Sequence, residues 1–394
     1  MIHLIRRKVI HPLQRFIHDS RAVGITLLIC TGISLLLANL GFWDNGYVNM
    51  WSAGFTGINE HLVTIGVIHL PNTPLYIIND GLMAVFFFLA GMEIKRELVN
   101  GELASIKKSV LPVFAAIGGM LAPALLFGLL NKGTGAMQGW AIPTATDIAF
   151  TLGVASLLGN RIPVSLKIFI TALAIIDDLG AIMVIAFFYG GHLQWGYLAG
   201  CLIIICILWL LNRAKKPFGW LQIILGLLLW YCMFNSGIHA TVAGVVFALM
   251  VPVAQLKKFE LALHKPVYFI IMPLFAVANT AITFPENSLQ ELNTSLSWGI
   301  LLGLCIGKPL GIFGACYFLV KKKLADLPRG VNWHKLIGAG ILAGIGFTMS
   351  IFISSLAYTD TGDQDIAKIS VIIASFIAII AGYCWFRFEK KIPI

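Results

Sequence analysis

The stretch TALAIIDDLGAIMVI, residues 171–185, sets two adjacent carboxylates, Asp177 and Asp178, into a run that otherwise reads as buried membrane helix. One aspartate near the bilayer centre costs about 2.5–3.5 kcal/mol on insertion scales, so a charged pair costs roughly 5–7 kcal/mol. A compensating interaction is therefore required, and the rest of the chain narrows down what supplies it.

The chain has 394 residues, of which 58% are hydrophobic and only 12% charged, with a mean hydropathy of +0.88. Apolar runs of about 17–25 residues recur along its whole length, which is what a helix needs to cross roughly 30 Å of hydrocarbon. This predicts an all-α polytopic membrane protein, with residues 1–394 forming one integral membrane domain. The net charge of +10 does not point to nucleic acid, because the basic residues sit in short clusters between apolar runs. The seven cysteines lie within or beside apolar runs without a CxxC pair, and read as small buried hydrophobes. The basic amino terminus ahead of residues 22–40 has no convincing small-residue cleavage site, so it reads as a first span and not as a signal peptide.

About twelve candidate spans follow: 22–40, 75–98, 109–130, 137–158, 164–189, 195–211, 219–234, 238–253, 266–285, 297–319, 335–357 and 366–387. Of the 28 Lys and Arg residues, only Lys132 and Lys368 fall on the even-numbered side, and Lys308 falls mid-span. The positive-inside rule then places both termini in the cytoplasm. The external connection 41–74 holds no Lys or Arg and alternates in HLVTIGVIHL like a short hairpin strand. It is a candidate partner-contact element, and a solvated loop reads equally well.

Two spans carry backbone anomalies. AIPTATDIAF brings Pro143 and two threonines into the fourth span, and GAGILAGIGFTMSIF puts Gly338, Gly340, Gly344 and Gly346 into the eleventh. Interrupted helices at corresponding places in two halves point to a transport site near the midplane. On that reading, about 109–189 and 297–387 are inverted repeats, with two discontinuous helices crossing. Gly and Pro are also common in membrane helices generally, so the plain reading stays open. Gly299, Gly303, Gly307 and Gly311 recur every four residues in the tenth span and lay a small-residue groove along one helical face. We read this as packing that presses the Lys308 helix against the carboxylate helix.

Lys308 in LCIGKPLGIFG, Asp147 in AIPTATDIAF and Asp80 in LYIINDGLMAVFFF join Asp177 and Asp178 as intramembrane charges. One Asp–Lys pair would satisfy a purely structural reading, but the carboxylates are in excess, and the excess needs protons or a bound cation. Neighbours on a helix project about 100° apart, so one aspartate can face a cation cavity while the other faces Lys308. Two unit charges about 6 Å apart at an effective dielectric near 20 repel by roughly 2.8 kcal/mol, which favours a site able to hold either a proton or a small cation. Na⁺ and Li⁺ are hard cations that prefer oxygen ligands, and Asp178, Asp177, the Thr146 hydroxyl and carbonyls freed at helix breaks can supply them. Half-helices meeting tip to tip leave partial charges in lipid, positive at amino ends and negative at carboxyl ends. Asp147 is placed to offset the first and Lys308 the second, a role we rank above direct ligation for Asp147.

Taken together, ATDIAF, LAIIDDLGAI, GKPLGI, GIGFTMSIFI, NDGLMAVFFFLAGMEIKREL and NSGIHATVAG resemble the NhaA-type sodium/proton antiporters of bacterial inner membranes, over nearly the whole chain. That family is itself among those on which the interrupted-helix rule rests. The resemblance implies two protons moved inward for each Na⁺ or Li⁺ moved outward, activation at alkaline pH, no cofactor, no enzymatic activity, and a homodimer formed through the external loop. It implies that Asp178 is the principal Na⁺ ligand with Asp177 beside it, and that Thr146 and Asp147 mark the first helix break. Lys308 then pairs with Asp177 or offsets helix-end charge, and Asp80 is a carboxylate near the site. The family's cytoplasmic pH-sensing surface falls on Glu93, Lys95, Arg96 and Glu97, and on Glu260 and His264. By themselves these residues read as a solvated helix end and a charged loop. Leu261 stands where well-known members carry His, which leaves the pH set point open. His239 matches a histidine linked to pH response, although a lone helix-end histidine also serves structurally.

Three other functions compete with exchange. An intramembrane aspartyl protease needs one Asp from each of two helices, usually with a GxGD motif, which is absent. A passive cation channel has no need of Lys308 facing a carboxylate. A sodium-coupled symporter of a small solute is the nearest alternative, and no recurring aromatic or basic pocket marks an organic co-substrate.

Overall fold

A computed structural model describes residues 20–40, 46–55, 62–65, 68–214, 216, 218–284, 290 and 292–389. Arg6, Arg7, Lys8, Arg15, Lys215, Lys390 and Lys391, and parts of the 41–74 connection, lie outside the described residues, as do the side chains of Arg21 and Lys107.

The fold is helical. Among the described residues, seven helices lead to the middle of the chain: α1 (Ser20–Asn39), α2 (Gly46–Ser52), α3 (Pro74–Asn100), α4 (Ile106–Leu130), α5 (Ile148–Leu157), α6 (Val164–Phe188) and α7 (Trp195–Arg213). Seven more follow: α8 (Trp220–Phe234), α9 (Thr241–Met250), α10 (Val253–Asn279), α11 (Ser295–Lys321), α12 (Trp333–Ala343), α13 (Phe347–Ala357) and α14 (Thr361–Arg387). Between α2 and α3, β1 (Leu62–Ile65) and β2 (Ile68–Pro71) pair antiparallel, with Val63 opposite Leu70. Among the described residues, eight helices are long and apolar enough to cross a membrane, and α12 with α13 forms a ninth such span bent by 46°. Each expected span falls on helix, with α5, α8 and α9 being shorter apolar helices. The most exposed side chains include Leu129, Phe187 and Trp220, a pattern that suits contact with lipid tails and not with water.

The cysteines divide between surfaces. Cys201 and Cys316 are buried, whereas Cys206 and Cys384 are exposed on the outer faces of α7 and α14, so the reading of all seven as buried is corrected for these two. A second correction concerns residues 254–265, read above as a charged connection. They are helical, because Leu256 and Glu260, one turn apart, bury one stripe and let α10 begin at Val253.

Among the described residues, three long helices contain a π turn. In α10 and α11 the cause is a proline: Pro273 and Pro309 lack an N–H and crowd the preceding carbonyls, so Met272 N reaches back to Val267 O, and Lys308 N to Gly303 O. In α3 the π turn covers Ile77–Leu82 and carries Asp80.

The chain divides into two compact units. The first comprises Met1–Ile29, Ser105–Asp178 and Glu286–Ile394, and the second Cys30–Ala104 and Leu179–Pro285. In the first unit α4 lies along α11. A Cβ on Gly311 would stand 2.1 Å from Gly118 O, and one on Gly307 2.9 Å from Pro123 Cα, so the two backbones touch. The glycine groove therefore receives α4, and not the carboxylate helix expected above. Gly118 of α4 is as small as its partners, and that mutual close approach is where the packing follows. In the second unit α8 packs against α7 and α9 through Leu208, Leu229, Met233 and Ala243.

Candidate functional site

The site lies in the first unit, where two interrupted helices cross at their breaks. Residues Gly135–Thr144 form a 3₁₀ helix, Ala145 and Asp147 are extended, and α5 starts after Asp147. Pro143 lies inside this 3₁₀ helix and brings no N–H donor, and the half-helix ends one residue later at Thr144. The other break, at residues 344–346, separates α12 from α13. The two breaks hydrogen bond directly: Asp147 N donates to Ile345 O at 2.7 Å, and Thr151 Oγ1 to Leu342 O at 3.1 Å. The Ile345 carbonyl in the break thereby gains a partner, while Leu342 O also accepts from Ile345 N at 3.2 Å.

Asp147 closes two amino ends at once. Its Oδ1 accepts from Phe150 N at 3.0 Å, capping α5, while its Oδ2 accepts from Thr348 N at 3.1 Å and from the Thr348 hydroxyl, in the first turn of α13. Phe347 N, the neighbouring amide, donates to Ser375 Oγ of α14 at 3.1 Å. A carboxylate between two helix amino ends meets orphan N–H groups and the positive end of both dipoles.

Asp177 and Asp178 are buried on α6, at 1% and 3% relative exposure. Lys308 Nζ donates to Asp177 Oδ2 at 2.5 Å and also to Thr144 O, the last carbonyl of the 3₁₀ half-helix. Both side chains of this ion pair are fully buried. Thr146 Oγ1 lies 2.6 Å from Asp177 Oδ2 and 2.9 Å from Ala343 O, so its single proton serves one acceptor at a time. Asp177 Oδ1 is buried and has no hydrogen-bond partner among the described residues. Asp178, the next residue along α6, is close enough for its charge to act on Lys308. The arrangement thus gathers two carboxylates, one ammonium, a hydroxyl and freed carbonyls into a buried interior. Such a set suits a hard monovalent cation, with protons as the competing occupants.

Of the residues singled out from sequence, Thr146, Asp147, Asp177 and Lys308 meet at this crossing, with Asp178 adjacent on α6. Thr348 and Ser375 were missed. Thr348 sits in the quoted GIGFTMS, and a hydroxyl in the first turn after a helix break is the signal that marks it. The remaining candidates lie in the second unit. Asp80 is half-buried in the π turn of α3, where its carbonyl accepts from Trp230 Nε1 at 2.8 Å. Lys95 Nζ donates to Leu249 O at 2.7 Å and to Val251 O at 2.5 Å, closing the carboxyl end of α9. Arg96 bonds Glu97 Oε1 at 3.1 Å and forms a closer ion pair with buried Glu260 of α10. Glu93 is half-buried one turn before Glu97, and the His264 ring packs on Tyr268 with centroids 4.6 Å apart. His239 Nε2 lies 2.5 Å from Tyr189 O. Glu260 and His264 stand on a helix and not on a loop, as the extension of α10 requires.

With this geometry in view, comparison with known proteins is decisive. The family described as Na⁺/H⁺ antiporter 1 matches residues 14–386. The chain belongs to this antiporter family. It is 45% identical over 402 aligned residues to a Clostridium beijerinckii protein named Na(+)/H(+) antiporter NhaA 1, covering 99% of this chain and 98% of that protein. A Sulfurovum protein named Na(+)/H(+) antiporter NhaA is 43% identical, covering 95% of this chain and 97% of its own length. One from Salmonella arizonae with the same name is 42% identical, with 97% and 99% covered. Membership in the antiporter family accounts for a crossing of broken helices that a structural ion pair alone does not need.

Proposed function

We propose that this chain is a secondary antiporter of the bacterial inner membrane that moves cytoplasmic Na⁺ or Li⁺ outward in exchange for external H⁺. The observation that carries this reading is the fully buried Asp177–Lys308 pair next to Asp178, at the crossing of two broken helices. In this account Asp178 is the principal cation ligand, and Asp177 turns from Lys308 toward the cation when it enters. Thr146 and freed carbonyls complete the oxygen set. Asp147 and Lys308 offset the amino and carboxyl ends of the half-helices.

Charge balance supports an unequal exchange. With Na⁺ held by two carboxylates and a neutral Lys308, the site carries one negative charge. With Asp178 protonated and Lys308 ammonium on Asp177, it carries none. Passing from the first state to the second releases one Na⁺ and takes up two protons, so each cycle moves one net charge inward. Regulation at alkaline pH is assigned to Glu93, Lys95, Arg96, Glu97, Glu260, His264 and His239, with Asp80 as a further carboxylate of the cation route. Both termini are placed in the cytoplasm, membrane lipid surrounds the spans, and a homodimer forms through loop 41–74. Inverted repeats over about 109–189 and 297–387 give the two crossing helices their relation.

The test is a pH titration of exchange in proteoliposomes, with the membrane potential first clamped and then free. Na⁺-driven proton movement that accelerates when the potential is clamped supports electrogenic exchange. Absence of proton movement at every pH contradicts it, and proton movement that requires an added organic solute favours a symporter.

A further inference from the structure

Helix α12 has one end in the crossing and the other at the membrane edge that charge topology places in the cytoplasm. Its carboxyl end offers Leu342 O and Ala343 O to the hydroxyls of Thr151 and Thr146. Its amino end, 11 residues and about 16 Å away, is capped by Asn332, whose Oδ1 accepts from Lys335 N at 2.8 Å. An unbroken helix moves as one piece, so whatever holds its first turn also acts on the site.

Two side chains hold that turn. Trp333 packs on Phe313 and Tyr317 of α11, with ring centroids 5.6 Å apart in both pairs. His334 turns to α14 instead: its ring stacks on Trp385 with centroids 4.5 Å apart and planes 19° from parallel, and its Nδ1 lies 2.7 Å from Glu389 Oε1. Trp385 Nε1 donates to His334 O at 2.9 Å, and a Cβ on Gly338, one turn further on, would stand 2.6 Å from Trp385 Cδ1. The indole is thus seated directly on α12. Glu389 N donates to Phe386 O at 3.2 Å, a turn that brings the carboxylate back from the end of α14. Other charges near this end are Lys335 on α12, whose Nζ donates to Gly330 O at 3.2 Å, Arg387 on α14 beside Tyr383, and Lys321 on α11 over the Tyr317 ring. The connection from α11 to α12 adds exposed Lys322, Lys323, Asp326 and Arg329, and α5, which also packs on α12, carries no charge. These cations and the amino end of α12 oppose a proton on His334, whereas Glu389 and the face of Trp385 favour it.

We propose that His334, Trp385 and Glu389 form a proton-sensitive clasp that ties the first turn of α12 to the end of α14, tight with imidazolium and loose with neutral imidazole. The protonated ring makes a charge-assisted hydrogen bond to Glu389 and a cation–π contact with Trp385, and the neutral ring keeps only an ordinary hydrogen bond and the stack. Histidine is the side chain that changes charge between about pH 5 and 8, and His334 is half exposed, so protons from the aqueous phase reach it. The clasp is therefore complete on the acidic side and weakens as pH rises through the imidazole range. Its bearing on transport rests on the antiport reading: Thr146 and Asp177 rearrange as the cation exchanges, Ala343 O must follow, and a fixed far end of α12 resists. A half-exposed charged pair alters such an equilibrium by up to about fivefold.

The experiment has two arms, both on the full chain in proteoliposomes. The first follows tryptophan emission against pH, because an imidazolium stacked on an indole quenches it. Wild type loses emission on acidification, and that component is absent from both His334→Gln and Trp385→Phe; a component that survives in either variant overturns the clasp. The second arm measures exchange rates from about pH 6 to 9. His334→Gln and Glu389→Gln raise the rate on the acidic side by about two- to fivefold and leave the alkaline rate within about 1.5-fold. His334→Arg, which holds its charge throughout, lowers the alkaline rate by about two- to fivefold. Profiles that superimpose on wild type, or an Arg variant that behaves like Gln, overturn the proposal. If a His334 variant does not reach the membrane, Glu389→Gln carries the same comparison from α14. Wild type without exchange at any pH breaks the antiport reading instead, while the emission arm still reports on the clasp, so the two failures are distinguishable.

Discussion

The crossing in the first unit and the charged helix ends in the second both contain ion pairs, and they differ in what surrounds them. Asp177 and Lys308 are fully buried, and their remaining polar contacts are to backbone at helix breaks and to Thr146. Arg96 has 42% of its side chain exposed, although its partner Glu260 is buried. Removing one member of a buried pair strands a charge, whereas an exposed pair is screened and contributes little. On the proposed function, the difference would separate residues that transport depends on from residues that tune it.

Substitutions at four positions grade this comparison from the largest effect to the smallest. Lys308→Ala leaves Asp177 buried without its cation, and the expected cost is about 3–5 kcal/mol in stability or outright loss of exchange. Unchanged melting and transport in purified protein would break the contrast. Asp147→Ala removes caps from α5 and α13 together, for an expected loss of about 2–4 kcal/mol, read by thermal unfolding in detergent. Asp147→Asn, which still accepts hydrogen bonds, should recover part of that stability. Thr146→Val deletes one buried hydroxyl and should cost about 1–2 kcal/mol while weakening apparent Na⁺ affinity, read from exchange kinetics. Arg96→Gln, which keeps a donor for buried Glu260, should change stability by no more than about 1 kcal/mol, yet move the pH profile of exchange. A profile that superimposes on wild type would remove the second unit's cluster from regulation.

Much of the crossing was legible because charge inside an apolar run is rare enough to stand out. Asp177, Asp178, Asp147 and Lys308 were each visible as a cost without an evident return, and Pro143 and Gly344 marked the breaks. What stayed hidden depends on tertiary partners. Thr348 looks like any membrane threonine until a carboxylate arrives from another helix. The glycine stripe of α11 announces a close neighbour but not which one, and α4 is recognised only through Gly118. The extension of α10 was missed because its first turns are charged on one side, so average hydropathy falls although Leu256 and Glu260 are buried. The π turns of α10 and α11 follow from Pro273 and Pro309, yet a proline alone does not tell whether a helix kinks, breaks or takes up a π turn. Lys368 is buried on α14, yet it read as an outside charge because topology counts residues by side and takes no account of burial.

The central claim is that exchange takes place at the paired carboxylates. Na⁺-dependent proton movement in everted vesicles carrying Asp178→Asn tests it most directly, at equal protein level and across alkaline pH. The account predicts that the variant shows no Na⁺-driven change in vesicle pH while wild type responds. Full exchange by Asp178→Asn would contradict it.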